Sequence, residues 1–381
     1  MTATIMSSPL YIWQRKGWPK FHWDARALQP SVAAVAQERA YLEGLAHALD
    51  DEHLKTVIAD LTTDEVVSSA AIEGVKLDPA SVRSSVMRRL GFAVSKEKAH
   101  TVGVEARGLL DVLVDSIENA APLTRKRLLA WQAALFPRGY SSSLPVLTGA
   151  YRGSSEPMQI VSGAYGHERV HYEAPPASRL PQEMTRFLRW FNGESRVLEA
   201  PIRASIAHLW FETLHPFEDG NGRIGRAIFD LAITQSRSRQ PRSTARLWSV
   251  SRVFETRREQ YYAELEAAQK GSLEITAWLM WSLQCIVEAH RAARAVVERV
   301  NAVARFWVRH SDKPFNARQR KVLRTILQTD AQAWVTTRAY ARITGFPKIT
   351  AARDLAQLVE WTCITADPTA GGRSTRYRVA L

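Results

Sequence analysis

The chain has 381 residues, 46% of them hydrophobic and 23% charged, which is an ordinary composition for a globular protein and argues against a fibrous or low-complexity chain. Its net charge is +13, and its length predicts two to three domains. Only two cysteines occur, Cys285 and Cys363, so neither a disulfide framework nor a zinc site is expected. Residues 1–20 lack the apolar stretch of a signal peptide, and no apolar run reaches membrane-spanning length. We therefore expect a cytoplasmic protein with no membrane partner.

Residues 1–60 begin with aromatic side chains set among basic ones. The aromatic residues are Tyr11, Trp13, Trp18, Phe21 and Trp23, and the basic ones are Arg15, Lys16 and Lys20. Such a stretch can stack on nucleic-acid bases, or it can form the core of a small cap, and the sequence leaves both interpretations open. Between Pro30 and Leu61, apolar residues recur at helical spacing and predict one long helix.

Two short β-prone runs interrupt the helical pattern of the middle region. They are Met158–Ser162 and Arg169–Glu173, on either side of Gly163-Ala164-Tyr165-Gly166. Runs of this length around a glycine-containing turn predict a β-hairpin.

Two core helices are predicted on either side of residue 215. Apolar residues follow helical spacing in Ile202–Leu214 and again from Ile224 to Ala232. His208, on the first helix, is interpreted as a packed histidine and not as a ligand. The segment from His215 to Arg226 lies between these helices and overlaps the start of the second. Its sequence is His-Pro-Phe-Glu-Asp-Gly-Asn-Gly-Arg-Ile-Gly-Arg.

This segment combines the groups that phosphoryl chemistry needs. Gly220, Asn221 and Gly222 allow ligand atoms to come close to backbone N–H groups at a helix N-terminus, which attracts anions. Arg223 and Arg226, three residues apart, share a helical face and can bind phosphate oxygens. Asp219 is a hard oxygen donor for a phosphate-bound Mg²⁺, and His215 can accept a proton from a hydroxyl. The segment therefore predicts a phosphoryl or nucleotidyl transfer site.

The same residues fit all nine fixed positions of the signature His-Pro-Phe-x-Asp/Glu-Gly-Asn-Gly-Arg-x-x-Arg, and the chain here resembles the Fic family of nucleotidyltransferases. The resemblance implies transfer of AMP from ATP to a Ser, Thr or Tyr hydroxyl of a target protein, or of the chain itself. It makes His215 the general base, Asp219 the Mg²⁺ ligand and Gly220 to Gly222 the phosphate cradle. Arg223 and Arg226 would hold phosphates, while Phe217 would pack inward.

A second segment resembles the inhibitory pattern Ser/Thr-x-x-x-Glu-Gly/Asn of autoinhibited Fic proteins. It is Ser69-Ala-Ala-Ile-Glu73-Gly74, which precedes the signature and would place the inhibitory helix, at about residues 64–76, on the N-terminal side of the Fic core. The resemblance implies that Glu73 pairs with Arg226, which then cannot hold the γ-phosphate. Gly74 is expected to allow close helix packing.

Two further roles follow from the resemblance. Tyr262 and Gln269 lie in a segment similar to the one that lines the adenine pocket of Fic proteins, and an aromatic face and an amide suit a purine. The hairpin at about residues 158–173 would be the flap on which an extended segment of the target protein docks by strand addition.

Residues 311–381 hold twelve Lys or Arg against five Asp or Glu. Helices are predicted at Ala317–Gln328, Val335–Thr344 and Pro347–Trp361, followed by two strands in Cys363–Val379 around residues 368–372. This order resembles a winged helix-turn-helix. Lys348, Thr350 and Arg353 on the third helix, and three arginines of the wing, Arg373, Arg376 and Arg378, would meet phosphates if it binds DNA. Protein docking or dimerisation is the alternative use.

Together these patterns predict a mostly α-helical chain. Its predicted parts are a small N-terminal domain (1–60), a Fic-type helical bundle with a β-hairpin flap (62–300) and a C-terminal winged helix-turn-helix (311–381). The predicted function is an autoinhibited protein adenylyltransferase that uses ATP and Mg²⁺. Two alternatives stay open: a hydrolase that removes AMP with the same site, and an ATP-responsive DNA-binding regulator. A homodimer also stays open.

Overall fold

The computed structural model describes residues 11–89, 91–92, 103–141, 143–162, 169–237, 247–329, 334–369 and 375–380. Within these ranges the chain contains fourteen α-helices and seven short strands, so the prediction of a mostly α-helical protein is confirmed. The chain divides into two compact units, Met1–Ala48 with Leu54–Arg294 and Leu49–His53 with Ala295–Leu381. None of the described helices is long and apolar enough to cross a membrane.

Eleven helices lie wholly or mostly in the first unit. They are α1 (Ala25–His47), α2 (Asp51–Ile72), α3 (Pro79–Arg89), α4 (Val104–Glu118), α5 (Arg125–Leu135), α6 (Leu180–Asn192), α7 (Ala200–Leu214), α8 (Asn221–Arg237), α9 (Val250–Thr256), α10 (Arg258–Lys270) and α11 (Thr276–Arg309). The first residues of α2 and the last residues of α11 are assigned to the second unit.

The long helix predicted between Pro30 and Leu61 is two helices. It breaks after α1, and α2 then runs without interruption from Asp51 to Ile72. The predicted domain boundary between residues 60 and 62 therefore lies inside α2, where Val57, Leu61 and Val66 are all buried. The boundary predicted after residue 300 lies inside α11.

α7 is the central helix of the first unit. Every residue from Ile202 to Leu214 is buried, the polar Arg203, His208 and Glu212 included, so other elements enclose the helix on all sides. The buried guanidinium of Arg203 donates to the carbonyl oxygens of Phe191 on α6, at 2.8 Å, and of Ala232 on α8, at 3.0 Å. These charge-assisted hydrogen bonds fix α7 between its neighbours.

The N-terminal aromatic residues pack against the same unit. Tyr11, Trp13 and Trp18 are buried. The indole of Trp13 donates to the carbonyl oxygen of Glu173 at 2.8 Å, and the ring of Trp18 lies 5.9 Å from that of Trp210 on α7. Of the two interpretations left open by the sequence, the structure favours packing, because these three aromatic faces are covered by protein.

The predicted hairpin is present. β3 (Gln159–Ser162) pairs antiparallel with β4 (Arg169–Glu173), with an irregularity between Ile160 and Val161. The predicted turn at 163–166 lies outside the described residues. A second, shorter pair joins β1 (Tyr140–Ser141) to β2 (Leu144–Pro145). The Tyr172 hydroxyl donates to the carbonyl oxygen of Thr213 at 2.7 Å, so β4 is fastened to the end of α7.

The second unit contains three more helices and a three-stranded antiparallel sheet of order β5-β7-β6. The elements are α12 (Ala317–Thr329), β5 (Val335–Thr336), α13 (Thr337–Thr344), α14 (Lys348–Glu360), β6 (Ile364–Ala366) and β7 (Arg376–Val379). The helix predicted from Val335 begins two residues later, since Val335 and Thr336 pair with β7. The other helices and both strands lie where they were predicted, and the winged helix-turn-helix itself stays a prediction.

A buried carboxylate fixes the helices of this unit. Asp354 on α14 accepts hydrogen bonds from Arg318 on α12 at 2.7 Å and from the hydroxyl of Tyr340 on α13 at 2.9 Å. Burial opposes the charge of Asp354, but these hydrogen bonds outweigh it and hold its pKa below the ordinary value.

Candidate active site

The predicted catalytic segment connects α7 to α8. α7 ends because His215 adopts a left-handed conformation (φ +45°), and its N–H donates to the carbonyl oxygen of Phe211. Gly220 has φ +91°, and α8 begins at Asn221. A Cβ at residue 220 would lie 3.0 Å from the ring of Phe136, so glycine is needed here both for its backbone angle and for space.

Asn221 stabilises the loop through its side chain. The amide accepts from the N–H of Phe217 at 3.0 Å and donates to the carbonyl oxygen of the same residue at 2.8 Å. Phe217 is completely buried, as predicted. The Asn221 side chain is therefore engaged within the loop, and its contribution to an anion site comes from the backbone at the start of α8.

The carboxylate of Glu73 lies on the backbone of Gly222. A Cβ at residue 222 would be 2.1 Å from Oε1 of Glu73, a separation that no real side chain tolerates. The first turn of α8 therefore has an anionic group seated against it, where free N–H groups and the helix dipole favour negative charge. The predicted cradle and the predicted inhibitory glutamate meet at this point.

Arg226 holds the same carboxylate from the other side. Its guanidinium is completely buried, with Nη2 2.9 Å from Oε1 of Glu73 and 2.8 Å from the carbonyl oxygen of Ser69. Nε donates to the Ser69 hydroxyl at 3.0 Å. Burial opposes the charge, but Glu73 outweighs it and holds the pKa of Arg226 above the ordinary value. The structure thus brings Ser69, Glu73 and Arg226 together as predicted.

The inhibitory segment differs from the prediction in its secondary structure. The helix predicted for residues 64–76 is the last part of α2, which ends at Ile72, so Glu73 and Gly74 lie in the turn that follows. Gly74 has φ +78°, and nothing lies within 4 Å of the Cβ that another residue would carry. The expectation that Gly74 allows close helix packing is therefore wrong, and glycine serves the left-handed turn that ends α2.

α2 is fastened to α9. The buried carboxylate of Glu65 accepts a hydrogen bond from the Ser249 hydroxyl at 2.7 Å and from the N–H of Ser251 at 3.2 Å, at the start of α9. The Ser68 hydroxyl donates to Glu255 at 2.8 Å. These contacts fix α2 against α9, and the turn that carries Glu73 directly follows α2.

Asp219 and Arg223 face a cavity of about 690 Å³, also lined by Glu73, Lys76, Phe136 and Ser141. Asp219 accepts hydrogen bonds from Ser141 and from the N–H of Gly220, and it pairs with Arg223 at 3.3 Å. No group of three or more His, Cys, Asp or Glu side chains among the described residues is arranged to hold a metal ion. A cation at Asp219 would therefore need oxygen ligands from a bound phosphate.

His215 is largely enclosed, with 14% of its side chain exposed. Its Nδ1 is buried and has no hydrogen-bond partner in the described part of the chain. Burial, and then the charge of Arg152, lower the pKa of His215 to about 4. The imidazole is therefore neutral at physiological pH, which is the form that accepts a proton.

Arg152 is a residue of the site that sequence reasoning missed. Its buried side chain donates from Nε to the carbonyl oxygen of His215 at 2.8 Å and from Nη2 to that of Pro175 at 2.5 Å. It precedes His215 by 63 positions and belongs to no motif, so no local pattern could indicate it. It stabilises the left-handed turn from which the imidazole projects.

The two residues predicted for an adenine pocket have different environments. Tyr262 is 41% exposed, and its hydroxyl donates to the carbonyl oxygen of Ile72 at 3.2 Å, next to the inhibitory turn. Gln269 lies two turns further along α10 and is buried, and its Nε2 has no partner among the residues described. His208 is buried as interpreted, hydrogen-bonded through Nε2 to the hydroxyl of Tyr261 at 2.9 Å.

The fold and the site define a class: a mostly helical protein in which a loop with a histidine, a glycine turn and two arginines joins two core helices. Comparison with known proteins gives the family. Residues 122–233 match the Fic/DOC family model, and residues 11–92 match a domain of unknown function (DUF4172). Residues 122–233 are thus a Fic domain, and the prediction of a Fic-type helical bundle is confirmed.

Relatives and solved structures agree with this. The chain is 23% identical over 220 residues to a probable protein adenylyltransferase of Aquifex aeolicus, covering 56% of this chain and 57% of the relative. It is 32% identical over 231 residues to the protein adenylyltransferase Fic of Culex quinquefasciatus, covering 60% and 41%. The chain thus spans about half the length of these curated relatives. A crystal structure of a Fic family protein from Desulfovibrio desulfuricans shares the fold, with a TM-score of 0.54 and 22% identity over 94% of this chain and 97% of the other.

Proposed function

We propose that the chain is a protein adenylyltransferase, which moves AMP from ATP to a Ser, Thr or Tyr hydroxyl of a target protein and of itself. The observation that carries the proposal is the Glu73 carboxylate, which lies against the Gly222 backbone and is paired with Arg226. A carboxylate therefore lies against the loop that carries the candidate base and that we propose to hold the phosphates. Relatives named protein adenylyltransferase support the same reaction.

The reaction requires one proton acceptor and one anion site. The target oxygen forms a bond to the α-phosphorus of ATP, the bond between that phosphorus and the α,β-bridging oxygen breaks, and pyrophosphate leaves with that electron pair. His215 accepts the hydroxyl proton at Nε2, because its Nδ1 is buried. The backbone of Gly220, Asn221 and Gly222, together with Arg223 and Arg226, stabilises the charge on the phosphates. Tyr262 and Gln269 are proposed to line the adenine site.

Asp219 is the proposed Mg²⁺ ligand. Its carboxylate is 38% exposed and faces the cavity next to the anion site, and a single carboxylate suits a cation that takes its other ligands from phosphates and water. Bound Mg²⁺ would supply charge neutralisation of the phosphates. Within the chain, Arg223 and Ser141 hold the carboxylate in place.

Glu73 is proposed to inhibit the enzyme by competing for this anion site. Its carboxylate takes the position on α8 that a phosphate needs, and its pairing with Arg226 removes a ligand from the γ-phosphate. α2 is anchored through Glu65 and Ser68, so release requires only that the Glu73 side chain and its turn move aside.

The outer edge of β3 is the proposed docking site for the target. Among the described residues β3 pairs only with β4, and β4 is held by α10 through a 2.8 Å contact between His171 and Glu266. An extended target segment can therefore add to β3 as a third strand. Main-chain pairing there would place a target hydroxyl near the loop that begins at His215, because β4 is fastened to the end of α7 just before it.

DNA is the proposed partner of the second unit. α14 turns Lys348, Ile349 and Arg353 to solvent, while Asp354 fixes the opposite side of the helix. An exposed helix face with basic side chains complements a phosphate backbone.

The strand β7 adds basic side chains to this surface. Arg376 and Arg378 lie over the ring of Trp334, at 4.8 and 5.2 Å. Arg376 also pairs with Asp367, and Arg373 lies outside the described residues. Arg378 is thus the residue of the predicted wing that we expect to meet a phosphate most directly.

Labelled ATP tests the proposed reaction on the full chain and its Glu73→Gly variant. A label on the α-phosphorus should appear on protein, whereas a label on the γ-phosphorus should not, and chelation of Mg²⁺ should stop the transfer. Transfer of the γ-label would indicate a kinase and contradict the proposal. Incubation of a protein that already carries AMP separates the hydrolase alternative, in which AMP is released without transfer. Binding of ATP without either reaction would favour the regulator.

A further inference from the structure

Glu212 is a buried carboxyl group to which none of the roles above applies. It lies on α7 three residues before His215, and its Oε2 is 3.9 Å from the Nδ1 of that residue. Neither Oε1 of Glu212 nor Nδ1 of His215 has a hydrogen-bond partner in the part of the chain that is described. Buried polar groups without partners are costly. The carboxyl oxygen near the imidazole is Oε2 and the unpartnered one is Oε1, and rotation of the carboxyl group would bring either oxygen toward Nδ1.

The neighbouring helix leaves room for this carboxyl group. A Cβ at Gly225, in the second turn of α8, would lie 2.3 Å from Oε1 of Glu212 and 3.1 Å from Nδ1 of His208. His208 is in turn hydrogen-bonded to Tyr261. Glycine at residue 225 therefore lets α8 approach α7 while the carboxyl group stays between them.

We propose that Glu212 is a positioning residue for the general base: in the active state its carboxylate accepts a hydrogen bond from Nδ1–H of His215. The inference rests on the proposed transfer reaction and deepens it. The pair needs to close by only about 1 Å to reach hydrogen-bonding distance, and catalytic hydrogen bonds are often long before substrate binds. The bond would direct Nε2 toward the target hydroxyl and stabilise the imidazolium that forms when the proton arrives.

Electrostatics link this pair to the inhibitory turn. Burial, and then the charge of Glu73, raise the pKa of Glu212 to about 8, while Arg226 opposes the rise. Of the other titratable groups nearby, His208 and Tyr261 are held neutral by burial. Glu212 is therefore largely protonated while Glu73 is seated, and it ionises more readily in the Glu73→Gly protein without nucleotide, where that charge is gone.

The test compares Glu73→Gly with Glu73→Gly/Glu212→Gln in the full chain, measuring kcat and KM for ATP from about pH 5 to about pH 9. We expect the glutamine variant to lower kcat at least about tenfold with KM for ATP nearly unchanged, since it disturbs the base and not the nucleotide. The rise of kcat that accompanies ionisation of Glu212 should disappear. Glu212→Asp should retain that rise at reduced kcat, because it keeps a carboxylate.

Glu183→Gln is the matched control, because Glu183 is another buried carboxyl group, bonded to Trp18 and Arg179 and outside the site. It should leave the pH profile unchanged. Superimposable profiles for Glu212→Gln and its parent, or a loss in ATP affinity equal to the loss in kcat, would overturn the inference.

A second measurement uses histidine ¹⁵N NMR of the Glu73→Gly protein without nucleotide, and it requires no Glu212 variant. A His215 Nδ1 signal that shifts as Glu212 ionises supports the pair, and one that does not respond overturns it. Absence of AMP transfer by the Glu73→Gly protein would contradict the proposed function alone, since the NMR result does not depend on it.

Discussion

Arg226 is completely buried, whereas the Glu73 side chain that pairs with it at 2.9 Å is 30% exposed. The two partners therefore differ in their freedom to move. The arginine is fixed by Ser69 and by its burial, but the glutamate stands in a turn at the end of α2 and can leave toward solvent. Breaking such a pair leaves a buried charge that costs about 3–5 kcal/mol unless another anion replaces the carboxylate. The phosphates of ATP are such an anion.

Glu73→Gly should raise AMP transfer by roughly 10²-fold, because an inhibited state favoured by a few kcal/mol leaves only about 1% of the protein competent. Autoadenylylation with labelled ATP and Mg²⁺ measures the effect. Arg226→Ala in the Glu73→Gly background should cancel the gain. Glu259→Gln, which removes an exposed carboxylate from α10, should leave transfer as it is. If Glu73→Gly is no more active than the unchanged chain, the inhibitory role is wrong.

His215→Ala should lower transfer by about 10²- to 10⁴-fold, the usual contribution of a general base. ATP affinity, measured by calorimetry in the Glu73→Gly background, should change little, since the imidazole acts on the hydroxyl. His47→Ala, at an exposed position on α1, serves as the control. Transfer at the parent's rate by the His215 variant would contradict the mechanism.

Acid should destabilise the protein partly through His215. Its pKa is about 4 in the folded state, against an ordinary value of 6.5, so the unfolded chain binds the proton more readily. The stability contributed by the neutral imidazole is complete above about pH 6.5 and falls by about 1.4 kcal/mol per pH unit until about pH 4. In thermal unfolding followed over this range, His215→Ala should lose less stability on acidification than the unchanged chain. Equal slopes for the two proteins would argue against a depressed pKa.

Arg152→Lys should lower kcat about tenfold and destabilise the fold by about 2–3 kcal/mol, because a single ammonium group cannot replace the fork that joins the carbonyl oxygens of His215 and Pro175. KM for ATP should stay close to the parent value. Arg196→Lys is a suitable comparison, since Arg196 is exposed and donates to the nearby carbonyl oxygen of Asn192. A kcat equal to that of the parent would show that Arg152 does not position the general base His215.

Binding of the full chain to duplex DNA should weaken steeply with salt, and Arg353→Ala or Lys348→Ala should each reduce the slope of log K against log salt by about 0.9. Titration at several salt concentrations measures the slope. Arg196→Ala, at an exposed position of the first unit, should leave it unchanged. No detectable binding even at low salt would favour protein docking as the use of the second unit.

Local patterns predicted the elements that depend on short-range periodicity. The apolar spacing around residue 215 predicted α7 and α8, and the β-prone runs predicted β3 and β4. The limits of the inhibitory helix were predicted less well, since Gly74 follows a helical stretch and its left-handed angle is not visible in residue spacing. The break between α1 and α2 was missed for the same reason, because apolar spacing continues across it.

The sequence by itself determined the chemistry of the loop from His215 to Arg226, because a base, an acid, a glycine turn and two arginines lie within one short segment. It also indicated Ser69 and Glu73 through a separate pattern. Only the tertiary structure decided that Glu73 rests on Gly222, that Arg152 holds the turn at His215, and that Glu212 faces the imidazole. These contacts depend on how helices distant in the chain pack together. Burial is then the largest influence on the charge states of His215 and Glu212. Burial arises only when the helices pack together, so the order of residues in the motif does not reveal it.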